Sequence, residues 1–473
     1  MHNTVRTARR ILTVLIILAV CLTCLPTVYA EPALLPGVTL EMTDPGYWAA
    51  KSNDPDALLA DSAGIAARNA EILACEECRM NDLRKEYPSF DGKAMQRELL
   101  SYASRLLAAY EEKGYFNSEG ERFVSADMAD VLTSIGTAAM SPEQQVRYGI
   151  CTALTDVRAV PSDQLITDTA GDNDFDLLQR SFLRVNEPVI IRAQTAEGDW
   201  YYCDSSCVSG WMPAATIAVC ADRQQWLDAW DIPDDEALVV TQGKLYLDES
   251  NVNSAASQRM LTMGTVLRLV EKDAFDPAVT NRAAYQNYPV YLPVREADGS
   301  YSTTIALIPQ HYDVSEGYLP LTAQNLLETA FSMLGDAYGW AGMLGVPDCS
   351  LYIRNIYKCF GMELARNTTW QSAMPVRKFD LSDLNPAEKS ELLDTLPVGS
   401  MLFLPGHVVL YLGEEEGEHY VLNTVSTMGQ PEGHAPIRVR SVTVNTLEEA
   451  LRRSGNTWLE ELKLAMIPYM PAA

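Results

Sequence analysis

The hydrophobic period of the chain changes twice, and no single layered core accommodates all three textures. Residues 31–145 carry apolar residues at three- and four-residue spacing, which predicts helices. In "NDPDALLADSAGIAARNAEILACEECRM" Asp54 and Pro55 read as the N-cap and first residue of one helix, and in "MSPEQQVRYG" Ser141, Pro142 and Gln144 have capping-box spacing. Residues 146–318 switch to short β-branched and aromatic runs between polar turns, as in "PVIIRAQTAEGDWYYCDSSCVSGWMPAATIAV" and "YPVYLPVREADGSYSTTIALIP". Two consecutive small barrels, 146–232 and 233–318, fit this spacing, and so does one irregular sandwich. From 319 to 473 a helical stretch, "LTAQNLLETAFSMLG", is followed by the β-meander "GSMLFLPGHVVLYLGEEEGEHYVLNTVSTMG", an α+β pattern. The predicted fold is therefore multidomain: an α-helical N-terminal region, small β-barrels and a C-terminal α+β domain.

Residues 1–30 read as a cleaved export signal: Arg6, Arg9 and Arg10 precede the apolar run "ILTVLIILAVCLTCL", and "PTVYA" ends at an A-x-A-like site. That places the mature chain outside the cytoplasm, periplasmic or associated with the cell wall. No later apolar stretch reaches the roughly 18 residues of a membrane span, so no membrane insertion is expected after cleavage. A lipid anchor at Cys21 is the alternative. The 63 acidic and 36 basic side chains give a net charge of −27, which repels phosphate backbones and argues against a nucleic-acid partner. Export permits disulfides but does not require them in so long a chain. Cys75 and Cys78 have redox spacing within a helical pattern, without the strand and turn of a thioredoxin-like motif; they and Cys203 with Cys207 or Cys220 are disulfides or free thiols.

Cys349 differs from these. The run after it, "SLYIRNIYKCFG", has helical spacing and ends at Gly361, a C-terminal cap, which puts Cys349 in the first turn of a helix. There the dipole and unpaired N–H groups favour a thiolate. A nucleophile needs a base, and of the five histidines His407 opens a strand after a Pro-Gly turn. If position 411 pairs with 419, His407 faces Asn423, whose amide oxygen would fix the imidazole tautomer; a one-residue slip would turn Asn423 away. His419 falls about 13 Å along the sheet at about 3.3 Å per residue, too far to orient His407. Any one of these residues alone reads equally as structural. The Cys, His and polar residue in this order point to a cysteine-nucleophile hydrolase without metal or organic cofactor.

The stretch "YGWAGMLGVPDCSLYIRNIYKCFGMELARNTTWQ" followed by "PGHVVLYLG" resembles the NlpC/P60 family of papain-like cell-wall peptidases, with its Y-x-W-G-G, D-C-S, R-N-(S/T)-x-x-Q and G-H-(V/I) motifs. Upstream, "DVRAVPS" and "GDWYYCDSSCVSGWMPAATIA" resemble paired bacterial SH3-like domains, and the helical region resembles the stabilising domain of the multidomain members. The resemblance implies a γ-D-glutamyl-L-diamino acid endopeptidase acting on peptidoglycan stem peptides with a free N-terminal L-Ala. It implies Cys349 as nucleophile, His407 as base and Asn423 as third member, with Asp348, Ser350 and Tyr338 binding substrate. Ala341 stands where glycine is usual, Ala365 where proline is usual, and Asn423 where many relatives have histidine. Two rival readings are an N-acetylmuramoyl-L-alanine amidase and a non-catalytic wall-binding protein.

Overall fold

The computed structural model describes residues 33–472, so the leader and Cys21 lie outside the described residues. Three helices dominate the N-terminal part: α1 (Ser62–Ala74), α2 (Gly92–Glu112) and α3 (Ala129–Thr137). The helix expected from Asp54 and Pro55 starts later, at Asp61, whose Oδ1 accepts from Gly64 N at 2.7 Å. Tertiary partners overrule the local signal. The Pro55 carbonyl accepts from Gln324 N, and Leu58–Ala60 pairs as a strand with Leu321–Thr322 of the C-terminal part. Ser141 and Gln144 make capping-type bonds, Ser141 N to Gln144 Oε1 and Glu143 N to Ser141 Oγ, but no helix follows. The Gln144 backbone is committed to Phe90, and the chain enters a strand instead.

That strand, β1 (Arg147–Cys151), belongs to a seven-stranded antiparallel sheet with β2 (Thr155–Arg158), β3 (Gln179–Leu183), β4 (Pro188–Gln194), β5 (Trp200–Asp204), β6 (Ser209–Pro213) and β7 (Ile217–Val219), in the order β3-β2-β6-β5-β4-β1-β7. Its interior holds Val157, Val189, Ile191, Met212 and the thiols Cys151, Cys203 and Cys207. All eight described cysteines are free, so Cys203 pairs with neither Cys207 nor Cys220. The helices bury Leu99, Leu107, Met128 and Ile135 against Val160, Ile166, Leu178 and Trp211 of this sheet and its loops, welding the two parts together. After α4 (Arg223–Trp230), a second β unit combines β8 (Ala237–Val240), β9 (Lys244–Tyr246), β10 (Met260–Thr262), β11 (Val266–Arg268), β12 (Asn287–Arg295), β13 (Tyr301–Pro309) and β14 (Val314–Glu316) around one core of Leu238, Leu261, Leu267, Val290 and Ile308.

The C-terminal part is α+β. Helices α5 (Ala323–Phe331), α6 (Cys349–Lys358), α7 (Thr368–Ala373) and α8 (Pro386–Leu393) accompany an antiparallel sheet of β15 (Val376–Asp380), β16 (Met401–Leu404), β17 (His407–Glu415), β18 (Glu418–Met428), β19 (Ile437–Thr446) and β20 (Leu464–Pro471), ordered β15-β20-β16-β17-β18-β19. Helix α6 is buried along its length except at Lys358, which makes it the central helix of the layer. Among the described residues no helix is long and apolar enough to cross a membrane.

Candidate active site

Cys349 is the first residue of α6. Asp348 caps the helix, its Oδ1 accepting from Leu351 N at 2.8 Å, so the N–H groups of Cys349 and Ser350 are left for other acceptors. The segment before it is held in an unusual shape: Ala341, Gly342, Leu344 and Gly345 all have positive φ, between 50° and 87°. At Gly342 a Cβ would stand 2.6 Å from Phe182 Cδ1 of β3, so the first barrel presses directly on the turn that delivers the cysteine. Ala341, where the related motif has glycine, adopts φ +50°, inside the small left-handed region open to an L-residue.

The Cys349 sulfur lies 3.9 Å from Thr368 Oγ1 of α7 and meets the backbone N–H groups of Val408 and Ser350. Burial, and next the Asp348 carboxylate, push the thiol up to about 11 against these donors. The sequence expectation of a thiol made acidic by the helix start is not met: removal from water and the neighbouring carboxylate act the other way. The His407 imidazole moves the opposite way, down to about 4, again through burial first, with the Asn423 bond pulling it upward.

His407 opens β17, 7 % exposed, with the Trp458 ring edge-on at 5.2 Å. Its Nε2 is 3.2 Å from Asn423 Oδ1. The Asn423 amide is itself oriented, because Nδ2 donates to Asn445 Oδ1 at 2.7 Å and Asn445 Nδ2 donates to the Thr446 carbonyl. With Oδ1 the acceptor, Nε2 carries the proton and Nδ1 is left as the basic nitrogen. The register differs from expectation. Glu416 and Gly417, both at positive φ, make a two-residue turn with Glu415 opposite Glu418; a bulge at Leu412 follows, and Tyr411 pairs with Val421 rather than with position 419. His407 and Asn423 are consequently diagonal rather than opposite. The displacement at Tyr411 is two residues, an even number, so both side chains stay on one face and within reach.

Asp348 is not a free carboxylate. Arg366, 3 % exposed, donates from Nη2 to Asp348 Oδ2 at 3.0 Å and from Nη1 to Oδ1 at 3.2 Å, while its Nε donates to Ser181 Oγ of β3 at 2.7 Å. The Ser350 hydroxyl is buried in the same network, donating to Asp348 Oδ1 at 3.0 Å and accepting from Arg366 Nη1 at 3.2 Å. Tyr338 is half-buried and stacks on Phe175 at 5.9 Å; Phe175 comes from the β2–β3 loop of the first barrel and also meets Trp340 at 5.3 Å. Burial drives the Tyr338 hydroxyl strongly upward, with Cys349 and Asp348 as the next contributors. Arg440 covers the Phe175 ring at 5.2 Å and pairs with Asp172 at 2.7 Å.

Sequence reasoning did not single out Arg366, Thr368, Asn445 or Phe175. Arg366 and Thr368 stand inside "ARNTTWQ", where the motif was visible but its buried ion pair was not. His419 is remote from this site, between Glu448 Oε1 at 2.7 Å and Asp394 Oδ1 at 3.1 Å. Among the described residues no cluster of His, Cys, Asp and Glu is arranged to hold a metal ion.

Comparison with known proteins agrees with this architecture. The family model for NlpC/P60 matches residues 335–435, which include Cys349, His407 and Asn423, and that for an SH3 domain of the SH3b1 type matches residues 167–213. A structure of an NlpC/P60 endopeptidase from Photobacterium damselae subsp. piscicida superposes with a TM-score of 0.72 at 14% identity, over 94% of this chain and 99% of that one, a likeness of fold. An NlpC/P60 family protein from Bacillus cereus aligns with a TM-score of 0.41 at 20% identity over 62% of this chain and 83% of its own. Dipeptidyl-peptidase 6 of Lysinibacillus sphaericus is 29% identical over 128 residues, 27% of this chain, and the match spans 37% of that relative's length. The chain is thus a multidomain protein that carries an SH3b domain ahead of a C-terminal NlpC/P60 domain.

Proposed function

We propose that the protein is an exported cysteine endopeptidase that hydrolyses the γ-D-Glu to diamino-acid bond of peptidoglycan stem peptides. The observation that carries this reading is the buried His407–Asn423 bond, which holds the imidazole with Nδ1 as its free basic nitrogen on the strand beside Cys349. The Cys349 thiol attacks the carbonyl carbon of γ-D-Glu as its proton passes to His407, the N–H groups at the start of α6 hold the oxyanion, and the imidazolium returns the proton to the leaving amine. Water, activated by the same imidazole, then releases the acyl group and restores the thiol.

Substrate length follows from the barrel. Phe175 and Tyr338 wall one end of the site beside the Asp348–Arg366 pair, which suits a short peptide whose N-terminal ammonium stops there. Tyr338 and Asp348 are the groups proposed to face that ammonium, with Ser350 fixing the carboxylate. Mass spectrometry of L-Ala-γ-D-Glu-meso-diaminopimelate incubated with residues 31–473 tests the reading, beside Cys349→Ala and an N-acetylated peptide. Release of L-Ala-D-Glu by the wild type alone, from the free-amine peptide alone, is the expected result. Cleavage by Cys349→Ala, or of neither peptide, would overturn it.

A further inference from the structure

Cys75 and Cys78 are set apart from the thiols sealed inside the barrels. Helix α1 ends at Ala74, Cys75 caps it, and Glu76–Cys78 continues as a single 3-10 turn. The Cys78 N–H donates to the Cys75 carbonyl at 3.2 Å, closing a four-residue turn. Such a turn keeps its end Cα atoms within about 7 Å, overlapping the span that a disulfide bridges. Both thiols are free. Cys75 is half-buried, open to an attacking or attacked reagent, while Cys78 lies behind it with no exposed surface.

The surroundings tie this pair to the C-terminal part. The Cys75 Sγ has two acceptors within reach, Glu77 Oε2 at 3.4 Å and the Ala373 carbonyl at the end of α7 at 3.8 Å. Lys378 donates to the neighbouring Ser372 carbonyl at 2.7 Å, and its ammonium opposes, without overcoming, the burial that pushes the Cys78 thiol up to about 12. The opposite end of the same short helix carries Thr368, 3.9 Å from the Cys349 sulfur, and Gln371, which donates to the Ser350 carbonyl at 2.9 Å.

We infer that Cys75 and Cys78 form a redox-active dithiol that low-molecular-weight disulfides convert reversibly into an intrachain disulfide, releasing the Cys75 contact to α7. The Cys75 thiolate attacks one sulfur of the small disulfide and expels one small thiolate, leaving a mixed disulfide. Cys78 then gives up its proton and attacks the Cys75 sulfur, expelling the second small thiolate. Two protein thiols are oxidised, one external S–S bond is reduced, and the two protons go to the departing thiolates. Excess small thiol runs the sequence backward. Oxidation removes the S–H that Ala373 accepts, so the C-terminal turn of α7 loosens.

The test uses the chain of residues 31–473, wild type and Cys349→Ala, equilibrated in glutathione buffers of rising oxidised fraction, quenched in acid and alkylated for peptide mapping. The expected result is a Cys75–Cys78 disulfide in both proteins, reversed by dithiothreitol, accompanied by faster hydrogen exchange across 368–373 in the oxidised form. Cys75→Ser should leave exchange in that segment insensitive to the buffer. Both cysteines staying alkylatable throughout, or linking to other cysteines instead, would overturn the dithiol assignment; a disulfide that leaves exchange at 368–373 unchanged would overturn its link to α7. Neither readout involves peptidase activity, so the outcome is independent of the proposed reaction.

Discussion

The Arg366–Asp348 pair is the contact on which the geometry of Cys349 most depends. With Arg366 3 % exposed and making four polar contacts to Asp348, Ser350 and Ser181, the guanidinium has no water to fall back on and the largely buried carboxylate has little. Arg366→Met strands the Asp348 carboxylate, and Asp348→Asn keeps an N-cap acceptor but strands the guanidinium; breaking a buried pair from one side costs about 3–5 kcal/mol. The loss falls on the start of α6, so amide exchange there should speed up by roughly two to four orders of magnitude in either single variant. The double variant Asp348→Asn/Arg366→Met removes both charges together and should lose less than the sum, with a coupling of about 2–3 kcal/mol. Local exchange is the suitable readout, because a chain of several parts does not unfold in two states. Losses that add to within about 0.5 kcal/mol would refute the argument. Asp348→Asn carries a second signature of opposite sign: the carboxylate pushes the Cys349 thiol up, so alkylation of Cys349 should shift to lower pH in that variant.

Three further results are expected. Asn423→Ala leaves the buried His407 N–H without its acceptor, a loss of about 1–3 kcal/mol, so kcat should fall roughly 5- to 150-fold with KM nearly unchanged and recover in part in Asn423→Asp; an unchanged kcat in Asn423→Ala, or Asn423→Asp as slow as Asn423→Ala, would count against the orienting role. Burial holds the His407 imidazole down to about 4 in the folded chain against 6.5 in its reference state, so the unfolded chain binds the extra proton between those values; stability from this group is complete above about pH 6.5 and declines by about 3 kcal/mol as pH falls through 4, and amide exchange along β17 in wild type compared with His407→Asn should show that slope. Gly342→Ala drives a methyl to 2.6 Å from the buried Phe182 ring at φ +87°, overpacking worth about 1–3 kcal/mol that should speed amide exchange across 340–346, with partial recovery on adding Phe182→Leu; unchanged exchange would mean that the barrel does not press on this turn.

Much of the site was legible because its signals are local. Cys349 in the first turn, the apolar run through β17 and the Pro-Gly turn before His407 each depend on a few neighbouring residues. The register was not legible, since loop length alone does not distinguish a tight two-residue turn with a bulge from a wider loop without one. The His407–Asn423 contact survived this error through parity. A shift of two preserves the face of a strand, so an incorrect partner assignment still put the imidazole and the amide together.

What stayed hidden lies between parts of the chain distant in sequence. Asp54 and Pro55 carry a sound helix-start signal, yet the backbone there is claimed by residues more than 250 positions later, and nothing near Pro55 announces Gln324. Phe175 and Ser181 belong to the barrel by sequence and to the Cys349 site by contact: one stacks on Tyr338, the other anchors the arginine that pairs with Asp348. A barrel residue that holds Arg366 also determines how the charge next to the thiol is balanced. Severing the barrel should therefore alter the pH dependence of Cys349 alkylation even with every residue of the C-terminal part intact, whereas a barrel serving only to retain the protein on a wall would leave that profile unmoved.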